Sequence, residues 1–370
     1  KGAKSAAHGQ TEGGIINIVT KKSANAGELQ ITAGSNDRRQ YHFNYGLQND
    51  KLSLNMYASK AEHDAYLRNS DYDNEQAGFN LAYELNNTDT LRVNYDHQQL
   101  KRGLVVQNLP GSADFDSRYP ATPIGDSFAN YQGKLPGDGS YTKIFRNNFN
   151  VSWNANRTNG SDSITYWKNY EKQREHNVIS GQVIFDRYNV TDKSDGLMYK
   201  GSTKLNPKHY LGYGIDYKRL RYGYGWYNVG ADKAGALYPS QKMNLLGAYV
   251  EDSWKMDNRW TTNIGLRYDK MEGDKDANVS GNNTGSMSEE ALSPKLNVHF
   301  ENDERTSTSF SVNRIWRAPS MAEFYWHYAG FGFAKDMPLS PEKGWGYEAS
   351  VAHKFSNKLY SKATAFYQDI

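Results

Sequence analysis

Residues 263–269 read Asn263-Ile264-Gly265-Leu266-Arg267-Tyr268-Asp269, so that Ile264, Leu266 and Tyr268 alternate with Asn263, Gly265, Arg267 and Asp269. Successive side chains on a strand point to opposite faces, which gives this segment one oily and one wet face. The same period of two governs 148–155, where Phe149, Val151, Trp153 and Ala155 alternate with Asn148, Asn150, Ser152 and Asn154. It recurs in Leu91, Val93 and Tyr95 against Arg92, Asn94 and Asp96, and in Leu296, Val298 and Phe300 against Lys295, Asn297, His299 and Glu301. Helical spacing is sustained nowhere.

Extending this reading along the chain predicts about fifteen strands, each near the ~9–11 residues that cross a bilayer when tilted. Their spans are 27–34, 38–47, 51–61, 74–86, 89–99, 143–155, 162–173, 195–205, 209–221, 241–256, 259–270, 290–301, 305–316, 342–355 and 358–370. One class of connection is short and polar: Gln48-Asn49-Asp50, Asn86-Asn87-Thr88, Asn159-Gly160-Ser161, Asn206-Pro207-Lys208, Asp257-Asn258, Asn302-Asp303-Glu304 and Ser356-Asn357. Such residues tolerate tight or left-handed geometry. The other class is long: 62–73, 100–142, 174–194, 222–240, 271–289 and 317–341, with a short exception near Ser35-Asn36-Asp37. After that first pair, short and long connections alternate. A membrane barrel gathers its long loops on the extracellular side and its short turns on the periplasmic side. A lectin, sandwich or propeller has no reason to do so, and a structureless stretch as long as 100–142 argues against a compact soluble domain.

Composition agrees. Of 370 residues, 37% are apolar with tyrosine included, which leaves no window resembling a membrane helix. Aromatics reach 14%, too much for a disordered chain. Forty-four basic residues face 41 acidic ones without a block of like charge, so nothing points to nucleic acid. With no cysteine, disulfides, thiolate metal sites and thiol chemistry are absent. Nor is there a G-x-S-x-G elbow, an H-E-x-x-H pair or a Walker loop; no catalytic residue is nominated. The chain starts at Lys1 inside a glycine-rich motif and stops at Ile370 inside a strand pattern, as expected of a fragment.

That glycine-rich start runs from Gly2 to Gly9 and on through Gly13-Gly14-Ile15-Ile16-Asn17-Ile18-Val19-Thr20-Lys21-Lys22. It resembles the end of the plug domain in TonB-dependent outer-membrane receptors, although His8 stands where an aromatic is usual. Arg317-Ala318-Pro319-Ser320 followed by Glu323 resembles that family's F-R-A-P-x-x-x-E-L segment, and Ser293-Pro294-Lys295-Leu296 its "SPR" strand start. Pro338-Leu339-Ser340-Pro341-Glu342 with Glu348 is similar to its N-P-x-L-x-P-E…E stretch. The resemblance implies an all-β, membrane-spanning, antiparallel up-and-down barrel, of whose 22 strands about fifteen are present. Residues 1–25 would be the C-terminal end of the plug and 26–370 the barrel. The bland physics of these motifs is structural: close backbone approach at Gly13 and Gly14, a strand stop at Pro319, and wet-face carboxylates at Glu342 and Glu348.

The informative clusters lie in the long connections. Arg102, Arg118 and Tyr119 fall in 100–142, Tyr222, Tyr224, Trp226 and Tyr227 in 222–240, and Tyr325, Trp326, His327, Tyr328 and Phe331 in 317–341. Aromatic faces with a few cations suit a flat, anionic, partly apolar ligand. Rim girdles and loop packing use the same residue types. The resemblance implies energy-coupled import of a ferric siderophore across the bacterial outer membrane. Its partners would be the TonB complex, through a plug segment outside this sequence, together with outer-membrane lipid and lipopolysaccharide. No intrinsic cofactor or metal is expected; the iron chelate is cargo. Haem is an alternative, with His327 as an axial ligand, because haem receptors of this family carry a histidine between these two segments; cobalamin is another. A passive porin and a soluble carbohydrate-binding protein are rivals of other classes.

Overall fold

The computed structural model describes residues 5–7, 25–123, 125, 136–179, 181–227, 237–275, 285–323 and 339–370; of 184–191, 224–227, 237–240, 274–275 and 285–286 it describes the backbone only. The strands are β1 (Ala26–Ala33), β2 (Arg39–Gln48), β3 (Leu52–His63), β4 (Tyr72–Glu84), β5 (Asp89–Gly103), β6 (Tyr141–Arg157), β7 (Gly160–Ile179), β8 (Gln182–Asn206), β9 (His209–Tyr227), β10 (Leu237–Lys255), β11 (Trp260–Lys275), β12 (Gly285–Glu301), β13 (Thr306–Arg317), β14 (Glu342–Lys354) and β15 (Tyr360–Asp369). They form one 15-stranded sheet in sequence order. Every neighbouring pair whose register is known runs antiparallel, as in β1–β2 and β10–β11.

Five of the seven short turns share one mechanism. A side-chain oxygen accepts from the backbone N–H groups two and three residues on: Asn49 from Lys51 and Leu52 at 3.1 and 2.8 Å, and Asn86 from Thr88 and Asp89 at 2.8 and 2.9 Å. Asn206, Asp257 and Asp303 repeat it. The side chain stands in for a turn of backbone, which fixes each hairpin's register. Donation from the backbone also holds the Asp257 and Asp303 carboxyls below the usual carboxylate range. The first connection bends instead through Asn36 and Asp37, both left-handed at φ 57° and 52°.

Three long connections prove shorter than expected. Most of 174–194, 222–240 and 271–289 continues the ladder, so that β7 and β8 are 20 and 25 residues long. That is about twice the ~9–11 residues needed to cross a bilayer. Nor is 100–142 structureless where it is described. Asn108, fully buried, accepts from the Asp116 N–H and donates to the carbonyls of Asp116, Tyr119 and Pro120. Arg68 grips the Asp138 carboxylate at 2.7 and 2.9 Å and the Asp114 carbonyl at 2.6 Å, tying 64–71 to both ends of the loop. Buried polar side chains here satisfy backbone groups that a ladder would otherwise pair.

Each strand turns its oily side outward from the sheet. Cross-strand pairing puts Leu29 opposite Phe43, Phe79 opposite Tyr95 and Tyr95 opposite Phe149. Further along, Tyr166 faces Leu197 and Leu197 faces Tyr217. Ile264 is 50% exposed, Leu292 55% and Leu197 53%. A belt of large apolar side chains this exposed and continuous calls for an apolar solvent. At the short-turn rim it ends in aromatics: Trp260 on Phe300 with ring centroids 4.3 Å apart, and His209 stacked on Trp254 at 5.6 Å.

Candidate functional site

The opposite, polar face positions the groups that matter. On β10, β11 and β12, Glu251, Gly265 and Lys295 lie in one cross-strand row. Residues 5–7 rest on that row. The Glu251 carboxylate accepts from the Ala6 N–H at 2.6 Å and from the Ser5 hydroxyl at 3.2 Å, and the Lys295 ammonium donates to the Ser5 carbonyl at 3.0 Å. Ala6 is fully buried, and a Cβ at position 265 would come within 2.8 Å of its own Cβ. Glycine at 265 is therefore what lets the segment approach.

One step up the wall lies a buried charge cluster. Arg267 donates through Nε to Asp269 at 2.9 Å and through Nη2 to Asp216 of β9 at 2.8 Å. Arg267 is 2% exposed and Asp269 1%. Such charges persist away from water only when paired and hydrogen-bonded. Gly247 makes the room, since a Cβ there would fall 1.8 Å from the guanidinium. Higher still, the face becomes apolar. Met243, Leu245, Met271 and Met287 pack with Trp316, Ala318 and Met321, and Tyr222 leans on this cluster half-buried.

At the end of β13, two sequence motifs meet. Arg317 binds Glu342 through Nη2 at 2.5 Å and Glu323 through Nη1 at 2.9 Å. Glu323 accepts in turn from the Ser320 N–H at 2.7 Å, while the Ser320 hydroxyl accepts from the Glu323 N–H. That reciprocal cap holds the start of the helix, described over 321–323. The Arg317 guanidinium holds the Glu323 carboxyl down at about 2. Pro319 and Pro341 are buried beside this clamp. Glu348 lies on the polar face of β14, opposite Ser311 and Phe366.

The nominated ligand residues are spread out. Arg102 is on the polar face of β5 opposite Tyr72, whose ring stacks on His63 at 5.3 Å. Arg118 turns to its own loop: it binds Asp116 at 2.6 Å, lies over the Tyr119 ring at 5.7 Å and pulls the Asp116 carboxyl to about 2. Tyr224, Trp226 and Tyr227 belong to β9 rather than to a loop, opposite Tyr238, Arg187 and Asp186 respectively. Tyr325, Trp326, His327, Tyr328 and Phe331, like Gly13, Gly14 and Asn17, lie outside the described residues. Sequence reasoning missed Glu251, Asp216, His63 and Tyr72 as site residues. Wet-face parity was the available signal, but it does not say which strands are neighbours.

A family model described as TonB dependent receptor-like, beta-barrel, matches residues 23–370. The chain belongs to the TonB-dependent receptor family. This is a family of transport receptors of the outer membrane, so the apolar belt faces lipid and the polar face lines the lumen. Solved structures similar to this receptor include the copper transporter OprC, 13% identical with a TM-score of 0.70 over 94% of this chain and 55% of that one. The siderophore receptor PiuA from Acinetobacter baumannii is 13% identical, with a TM-score of 0.69 over 94% of this chain and 57% of that one. The ferripyoverdine receptor of the outer membrane of Pseudomonas aeruginosa, bound to ferripyoverdine, is 13% identical, with a TM-score of 0.70 over 94% of this chain and 49% of that one. At such identity these likenesses speak for the fold alone. The receptor chain spans about half the length of these proteins. No curated protein matches it.

Proposed function

We propose that this chain is the wall of a receptor that imports a ferric siderophore by energy-coupled transport, with residues 1–25 as the end of a plug. The observation that carries this reading is the clamp of Ser5 and Ala6 between Glu251 and Lys295. A segment that precedes the first strand and docks inside the lumen suits a gated carrier better than an open pore. Siderophore receptors among the similar structures support the choice of cargo. Capture falls to the mouth, where Arg102, Tyr72 and His63 offer a cation and stacked rings on the lumen side. Aromatic and cationic groups together hold flat anionic chelates through stacking, cation–π contact and charge pairing. Tyr325, Trp326, His327, Tyr328 and Phe331 would add to that surface. The TonB complex would pull on the plug, and ligand binding must favour the plug state it recognises.

Radiolabelled iron uptake into cells producing the receptor tests this. Uptake of ferric siderophore that stops when the proton gradient is collapsed is expected. Uptake of haem alone, lost on His327→Ala, would overturn the cargo; uptake that survives gradient collapse would overturn the coupling.

A further inference from the structure

The apolar layer above the buried charge cluster is rich in sulfur. Of the chain's eight methionines, four pack into it: Met243, Met271 and Met287 from β10, β11 and β12, and Met321 from the segment after β13. All four are buried, and Leu245, Trp316 and Ala318 complete the cluster. The ladder explains how they meet. Met243 and Met287 pair with Gly273 from its two sides, and Met271 lies two positions before that glycine on the same face. Neighbouring strands are ~4.8 Å apart, so the two flanking Cα atoms stand roughly 10 Å from each other across a residue with no side chain. Two methionine side chains reaching over the glycine span such a gap.

Packing alone does not call for methionine here. Burial costs its flexible side chain more rotamer freedom than it costs leucine, which fills a similar volume. What methionine adds is a thioether, a soft donor that selects copper(I). Two neighbours favour a cation in the same place. Gln241, the preceding residue on this face of β10, has its side-chain oxygen buried with no hydrogen-bond partner among the described residues. An orphaned acceptor points to a positive guest. Trp316 adds an aromatic ring, whose face attracts cations. The cluster itself is uncharged, and every uncompensated charge held away from water is costly, so a monovalent ion suits it better than a divalent one.

We propose that Met243, Met271, Met287 and Met321 form a thioether site for copper(I), which staples the segment after β13 to the lumen wall. Three ligands come from the sheet and the fourth from that segment, so occupancy sets how firmly the segment is held. Zinc(II) and ferric iron do not fit, because they take imidazole, carboxylate or thiolate ligands, and the cluster has none. The site lies five strands from Arg102 on β5, and its copper is a resident ion whatever cargo the receptor carries.

Silver(I), an air-stable stand-in for copper(I), is the probe. The full chain in detergent should bind silver, and X-ray absorption at the silver edge should show a sulfur shell. Since the chain has no cysteine, any such shell is methionine. M243L/M271L/M287L keeps volume and apolarity, and should bind silver about tenfold more weakly with unchanged heat-modified gel migration. M56L, on the exposed belt, should bind as the parent does. Silver should also protect 318–323 from hydrogen exchange, and M321L should abolish that protection; this variant decides alone should the triple one fail to fold. Copper(I) kept reduced by ascorbate should displace the silver. No sulfur shell in the parent, equal binding by the folded triple variant, or protection that survives M321L would overturn the proposal. Zinc(II) bound as tightly as silver would overturn the choice of metal.

Discussion

Two stretches of lumen wall obey the same alternation and end in opposite states. On β10–β12, Arg267 and Asp269 are almost wholly buried, and residues 5–7 lie against the row beneath them. On β1–β5, Glu28, Asn44, Asn55, Asn80, Arg92 and Asn94 line an open groove of about 630 Å³, where amides pair with amides, as Asn55 donates to Asn44 at 2.6 Å. Where the wall is covered its charges are buried and paired with one another; where it is wet, exposed charges such as Glu28 and Arg92 stand among neutral amides. Alternation decides which face a side chain occupies; only register and the docked segment decide what surrounds it. The buried wall gives strength to individual contacts by excluding water, and makes each one costly to break.

The largest expected effect is at Arg267. Arg267→Ala strands the Asp216 and Asp269 carboxylates and should cost about 3–5 kcal/mol in urea unfolding, whereas Arg92→Ala on the open wall should stay within about 0.5 kcal/mol. Equal costs would erase the distinction between the walls. Gly247→Ala comes next: its Cβ would overlap the Arg267 guanidinium, for a loss of about 1–3 kcal/mol. Gly212→Ala is the matched control, on the same face with nothing nearer than 3.9 Å. A smaller effect is predicted for Glu251→Ala, which removes the acceptor of Ser5 and Ala6. A cysteine placed at Ala6 should then react with a soluble maleimide about tenfold faster, while Asn55→Ala leaves the rate unchanged.

The smallest effect concerns pH at the mouth. Glu323 is held below its usual value of 4.5, down at about 2, so its clamp is fully present above pH 4.5 and is lost as pH falls through the lower value. Acid should loosen the 318–323 turn in hydrogen exchange over that window. Glu323→Gln should be loose throughout, with no acid step of its own; an unchanged step in that variant would assign the titration elsewhere.

All fifteen strands were legible because lipid on one side and water on the other impose a period of two. The upper halves of β7 and β8 were not. Residues such as Arg174, Glu175, His176 and Asn177 continue the ladder beyond the belt, where the buried face carries the polar Glu175 and Asn177 and no apolar alternation survives. The loop 104–123 escaped notice because its order rests on Asn108 and Arg68, single buried polar residues without a periodic signature. In the charge cluster, Arg267 and Asp269 stood two apart in a strand that alternation identifies. Asp216 joins them from 51 residues away, through a pairing register that a lone sequence does not disclose. The Arg317–Glu323–Glu342 clamp was visible as motifs, but their meeting at one guanidinium was not.

Since the chain has no cysteine, its two faces can be separated residue by residue. Single cysteines along 148–153 of β6, labelled with bimane and reconstituted into brominated phospholipid, report lipid contact directly. Quenching at Phe149, Val151 and Trp153, with bright signals at Asn148, Asn150 and Ser152, is the predicted result. Uniform quenching, or quenching of the asparagine positions instead, would contradict a wall with lipid outside and a wet lumen within.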